Sequence, residues 1–185
     1  MELTEFFQEI KTPATILHVV GIVFGMGGAF VSDILFSFFS IDKKLNDTET
    51  STLSVLSRII FYSLILITLS GAVIFLSDTE KYLSSAKFLA KMSILAVLLI
   101  NGYILNKSVW PHLLNKKFFK LKRERGVRRL AFVCGAISVT SWLSVFTLGI
   151  LDSLNMTYFS IISLYLLITF LGVIVSLFVE KKELD

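Results

Sequence analysis

Five long apolar runs, Pro13–Phe39, Ile59–Ser77, Phe88–Asn106, Leu130–Leu151 and Met156–Val179, occupy most of this chain. Each is close to or above the roughly 20 residues that a helix rising 1.5 Å per residue needs to cross a hydrocarbon core. Three carry no charged residue; the first holds only Asp33 and the third only Lys91. Membrane-barrel strands would read as alternating segments of roughly ten residues, a pattern absent here. The runs therefore predict an all-α, polytopic membrane helix bundle with five transmembrane helices, a single domain over residues 1–185. No repeat divides it, and five spans cannot split into two equal inverted units.

Before the first run, Met1–Ile10 is acidic (Glu2, Glu5, Glu9). That run is too long for a signal-peptide core, so no cleaved leader is expected. The single cysteine, Cys134, lies inside the fourth run, which excludes a disulfide framework or a thiolate metal cluster. In apolar surroundings its thiol should be inert.

Charge predicts orientation. Residues 107–129, between the third and fourth runs, hold nine basic residues against one acid, Glu124. That loop shares a side with Lys43, Lys44, Arg58, Lys181 and Lys182, placing fourteen of the eighteen basic residues on one face. The positive-inside rule then puts the N-terminus outside and the C-terminus in the cytoplasm. The net charge of +4 arises mostly from this loop. Anionic lipid at the membrane surface satisfies such a segment, so nucleic acid is not expected as a partner. Phe118, Phe119 and Leu121 interleave with the charges, as in a helix lying at the headgroup level.

Ionisable and polar groups at membrane depth are the functional candidates. At about 100° per residue, Ala14, His18, Gly21, Gly25, Gly28 and Ser32 share a sector of roughly 80° on the first span. Small residues at this spacing let a neighbouring backbone approach closely, so His18 should point into the bundle. Two uses of that face stay open. The glycines pack helices and His18 hydrogen-bonds across the contact; or Gly25 and Gly28 open a groove where a flat ligand lies against His18, whose imidazole is a competent haem ligand. Lys91 either snorkels to the interface or stands near His18. Asp33 lies roughly 22 Å along the helix from His18 and should pair with Lys43, Lys44 or Lys107. Asn101 sits mid-span, and His112 follows a break at Trp110–Pro111. The two histidines lie at opposite ends of the membrane, which rules out their sharing one haem. No phosphate-binding loop, dinucleotide fingerprint or nucleophile elbow occurs, and four methionines without pairing give no soft copper site.

Leu17–His18 followed by Gly27–Gly28, then Ser70–Gly71 closing the second run and Lys91–Met92–Ser93–Ile94–Leu95 opening the third, resemble small bacterial multi-pass proteins of the HemJ and CopD kind. Residues 11–106 carry the resemblance, and Asn101 stands where HemJ-like proteins place a further histidine. HemJ-like proteins oxidise protoporphyrinogen; CopD-like proteins are linked to copper resistance. The resemblance implies a haem- or porphyrin-handling oxidoreductase of the bacterial cytoplasmic (inner) membrane. In it His18 would be the metal ligand, Lys91 a counter-charge for a carboxylate, Gly25 and Gly28 the cofactor-binding face, and a quinone the electron acceptor. The alternative expectation is a non-enzymatic or transporter-like module, with homo-oligomerisation through the glycine face.

Overall fold

The structure, a computed structural model, describes residues 3–40, 45–113, 125–151 and 155–184. Every regular element among them is helical: α1 (Leu3–Glu9), α2 (Lys11–Ser40), α3 (Asp47–Leu76), α4 (Thr79–Leu83), α5 (Ala86–Ile104), a π-helical turn (Leu105–Val109), α6 (Trp110–Leu113), α7 (Arg125–Ile150) and α8 (Tyr158–Leu184). Five stretches are long and apolar enough to cross a membrane: Lys11–Phe39, Asp47–Leu76, Ala86–Leu113, Arg125–Ile150 and Tyr158–Lys182. At most 33% of the residues in any of their apolar windows are buried. Phe159 and Phe178, 78% and 76% exposed, typify the outer surface. So much outward apolar area needs lipid around it. The chain is an integral, multi-pass membrane protein.

The helix limits follow local chemistry more than hydropathy. α3 begins at Asp47, well before the apolar run at Ile59, because Asn46 and Glu49 form a capping box: the Asn46 side chain accepts from the Glu49 amide and the Glu49 carboxylate from the Asn46 amide, both at 2.8 Å. Pro13 sits in the first turn of α2, where its missing N–H costs nothing. The expected break at Trp110–Pro111 does not occur. The π-helical turn just before it shifts the hydrogen-bond register, and helix continues through Pro111 to Leu113. Phe118, Phe119, Leu121, Lys43 and Lys44 lie outside the described residues.

Lys107, Arg125, Arg128, Arg129, Lys181 and Lys182 gather at one end of the bundle, here the basic end; α4 marks the other. α2 and α3 form the tightest antiparallel pair, α7 packs on α8, and α5 packs on α7. A Cβ on Gly21 would lie 2.8 Å from Ile67 Cγ1, and one on Gly25 2.6 Å from the Trp142 ring, so only glycine allows this approach. Across lipid-embedded seams, where apolar packing gains little over lipid, hydroxyl pairs bind helix to helix. Ser141 meets Tyr165 at 2.9 Å, Thr140 meets Thr169 at 3.2 Å, and Ser176 donates to the Phe132 carbonyl at 2.6 Å. Ser93 and Tyr158 join α5 to α8 at 3.0 Å, and Lys87 reaches the Leu151 carbonyl.

Candidate functional site

His18 lies in the α2–α3 seam. Its Nδ1 is 3.1 Å from the Ile67 carbonyl and 3.1 Å from the Ser70 hydroxyl. A carbonyl only accepts, so Nδ1 carries the proton. Ser70 donates its own hydrogen to the Leu66 carbonyl at 2.6 Å, leaving a lone pair for the same Nδ1–H. In the neutral ring, Nε2 then holds a lone pair. This is the arrangement in which a histidine can ligate a metal while its other nitrogen fixes the ring. Gly71 makes room for the ring, since a Cβ there would be 3.3 Å from His18 Cε1. Lys91, half-buried on α5, lies within electrostatic range of His18.

The glycine face beside His18 is filled by protein. Ile67 lies over Gly21, Trp142 and Ser63 over Gly25, and Ile60 over Gly28. A lone imidazole suits a single axial haem ligand, but Gly25 and Gly28 leave no open slot for a flat macrocycle against this seam. Among the described residues no three His, Cys, Asp or Glu side chains converge as a metal site.

The open space is elsewhere. A cavity of about 910 Å³, at the upper end of the size of ligand pockets, lies between α3 and α5 with α2 and α7 as its floor. α3 and α5 meet at the α4 end, where the Phe75 and Phe88 rings stack at 5.5 Å and Tyr82 closes on Phe88 at 5.2 Å. Towards the basic end they part. Exposed Phe61, Tyr62 and Leu69 flank one side of the mouth, Leu99 and Tyr103 the other. The opening therefore faces lipid.

The charged residues lining the cavity lie towards one end of it. The α2–α3 register sets His18 against Ser70, Gly21 against Ile67, Gly25 against Ser63 and Gly28 against Ile60. Continued in the same sense, it brings Asp33 level with Val55, close to the polar first turns of α3. Asp33, Ser57, Arg58 and Asn106 thus line the part nearer the basic end, among the apolar Phe36, Leu53, Val109, Trp110, Leu113 and Ala131. Leu64, Ile65, Leu69, Leu98 and Trp142 line the deeper part. The π-helical turn shapes the wall through Leu105, Asn106 and Val109, as such turns do at many functional sites.

Asp33 and Asn101 converge on adjacent residues of α7. Asn101, buried, donates from Nδ2 to the Cys134 carbonyl at 3.0 Å. Asp33 Oδ1 lies 3.3 Å from where a Cβ of Gly135 would stand, so the missing side chain admits the carboxylate. Asp33 Oδ2 is buried without a hydrogen-bond partner. The expected pairing with Lys107 is not formed: its ammonium donates to the Tyr103 hydroxyl at 3.0 Å. Sequence reasoning gave this cavity no part, although its one signal was plain: Asp33 is the only acid in five apolar runs.

No family model, curated protein or solved structure matches the chain.

Proposed function

We propose that this protein binds an amphiphile taken sideways from the membrane leaflet at its basic end. One observation carries the reading: a lipid-facing, mostly apolar cavity whose two charged lining residues, Asp33 and Arg58, both lie in the half nearer the basic end, while Leu64, Leu98 and Trp142 line the deeper half. An amphiphile standing along the bilayer normal carries its polar groups at the same end. Isoprenoid quinones and tetrapyrroles fall within this class. With the positive-inside orientation, the mouth opens to the cytoplasmic leaflet of the cytoplasmic membrane.

The test uses the protein's own reporters. Its two tryptophans, Trp110 and Trp142, both line the cavity. A short-chain quinone, which quenches indole emission, should quench the detergent-solubilised protein saturably. Ser138→Phe, which narrows the cavity from the α7 floor, should raise the midpoint. Quenching linear in quinone and indifferent to Ser138→Phe would overturn the reading.

A second reading, haem- or porphyrin-handling oxidoreduction of the HemJ kind, is favoured by the His18 tautomer alone. Nδ1–H directed at a carbonyl leaves Nε2 ready to ligate. Haem, when bound, would supply the redox chemistry; His18 would have to hold it away from the glycine face, which Ile67, Trp142 and Ile60 fill. Oxidised and dithionite-reduced absorption spectra of wild type and His18→Ala decide it. A Soret band lost in the variant supports ligation; a colourless protein expressed with added haem precursor sinks it.

A further inference from the structure

We propose that the amphiphile is a phospholipid with a primary-amine head, its ammonium between Asp33 and Asn101 and its phosphate at Arg58. This rests on the amphiphile-binding reading and deepens it.

The head chemistry follows from which hydrogen-bonding capacities are already used. Asn101 has committed one of its two N–H groups to the Cys134 carbonyl, and its amide oxygen is an acceptor it can turn to the cavity it lines. Asp33 contributes a carboxylate whose Oδ2 has no partner although it is buried. Two acceptors therefore meet at the Cys134–Gly135 step of α7. A buried ionised carboxylate left alone is costly, and a cation that donates hydrogen bonds removes that cost. The hydroxyls of Ser32, Ser57 and Ser138 turn either way and set no preference.

Arg58 narrows the choice. It is the one cation among the described lining residues, exposed on α3 about one helical turn further from the basic end than Asp33. A simple alkylamine would meet its repulsion. An anionic head without an amine would satisfy Arg58 and be repelled by Asp33. A zwitterion with its ammonium nearer the basic end and its phosphate one turn deeper matches both, and a guanidinium is well shaped for phosphate. A quaternary ammonium has the charge but no N–H for the two acceptors. Its acyl chains then follow the apolar part of the cavity past Leu64 and Leu98 to Trp142.

The experiment reconstitutes the full chain in nanodiscs containing phospholipids brominated on one acyl chain, with ethanolamine, choline or glycerol heads. Emission from Trp110 and Trp142 is read as the brominated fraction rises. The ethanolamine lipid should half-quench at a mole fraction about tenfold lower than either of the others, the size of one charge-assisted hydrogen bond. Asp33→Asn, close in shape, should abolish the preference over the glycerol lipid. The wild-type comparison stands even if that variant folds poorly. Equal quenching by all three lipids would overturn the head assignment while leaving an amphiphile site. Quenching that never saturates with any lipid would overturn both.

Discussion

The side-chain amide of Asn101 donates to the main-chain carbonyl of Cys134 across 3.0 Å, tying the middle of α5 to α7 one residue before the glycine that admits Asp33. A single bond thus fixes the height at which two polar side chains face the same cavity. Replacing Asn101 by Leu should lower stability by about 0.6–2 kcal/mol, the span measured for interhelical hydrogen bonds in membranes. Unfolding in sodium dodecyl sulfate reads this directly; an unchanged midpoint would show that apolar packing alone sets the α5–α7 register.

Two glycines of α2 should respond in opposite ways. Gly25→Ala forces Trp142 to move, since the new methyl would lie 2.6 Å from the indole. The expected loss is about 1–3 kcal/mol, with a shift in tryptophan emission. Gly27→Ala meets nothing within 4 Å and should be neutral or stabilising by up to about 1 kcal/mol. Equal losses at both positions would contradict the α2–α7 contact.

His18→Ala and Ser70→Ala separate the two contacts of the imidazole. Removing the ring deletes the interhelical bond to Ile67 and should cost on the order of 1 kcal/mol. Removing the hydroxyl leaves the Ile67 carbonyl available to Nδ1–H, so the loss should be smaller. The reverse order in chemical unfolding would mean that Ser70, not the carbonyl, holds the ring.

At the basic end Arg129 pairs with Glu180 at 3.5 Å, but their surroundings differ: the Glu180 side chain is 5% exposed and that of Arg129 54%. Arg129→Ala removes the partner of a buried carboxylate, whereas Glu180→Gln leaves an exposed guanidinium to water. The arginine variant should therefore be the less stable of the two in a thermal melt. Solvent screening keeps the pair's own contribution within about 1 kcal/mol.

Orientation is open to a direct experiment, because the one native cysteine is only 2% exposed and should not label. Single cysteines at Glu80, on α4, should react with an impermeant maleimide added outside intact cells. Cysteines at Lys107 should react only after the membrane is opened. The opposite pattern would reverse the orientation that charge predicts.

Hydropathy made the five spans legible, because a helix in lipid must be apolar on every side that lipid touches. The early start of α3 was also written locally, in Asn46 and Glu49 at capping-box spacing. Passage of helix through Pro111 was not, because it depends on a π-helical turn that no short pattern announces. The inward direction of the His18 face was readable from angular spacing. What fills that face was not, since Ile67, Trp142 and Ile60 come from other helices. The cavity lay furthest from the sequence: it exists because α3 and α5 are neighbours that separate, and neighbour order is a property of the assembled bundle.

That separation makes α5 and its extension a lever. The ring stack at Phe75 and Phe88 holds one end, and the helix runs about 38 Å from Phe88 to Leu113. Each degree of swing about that fulcrum moves the far tip by about 0.7 Å. Roughly seven degrees, taken up by α5 and α7 together, would carry that tip through the breadth of an acyl chain while the glycine seam between α2 and α3 stays shut.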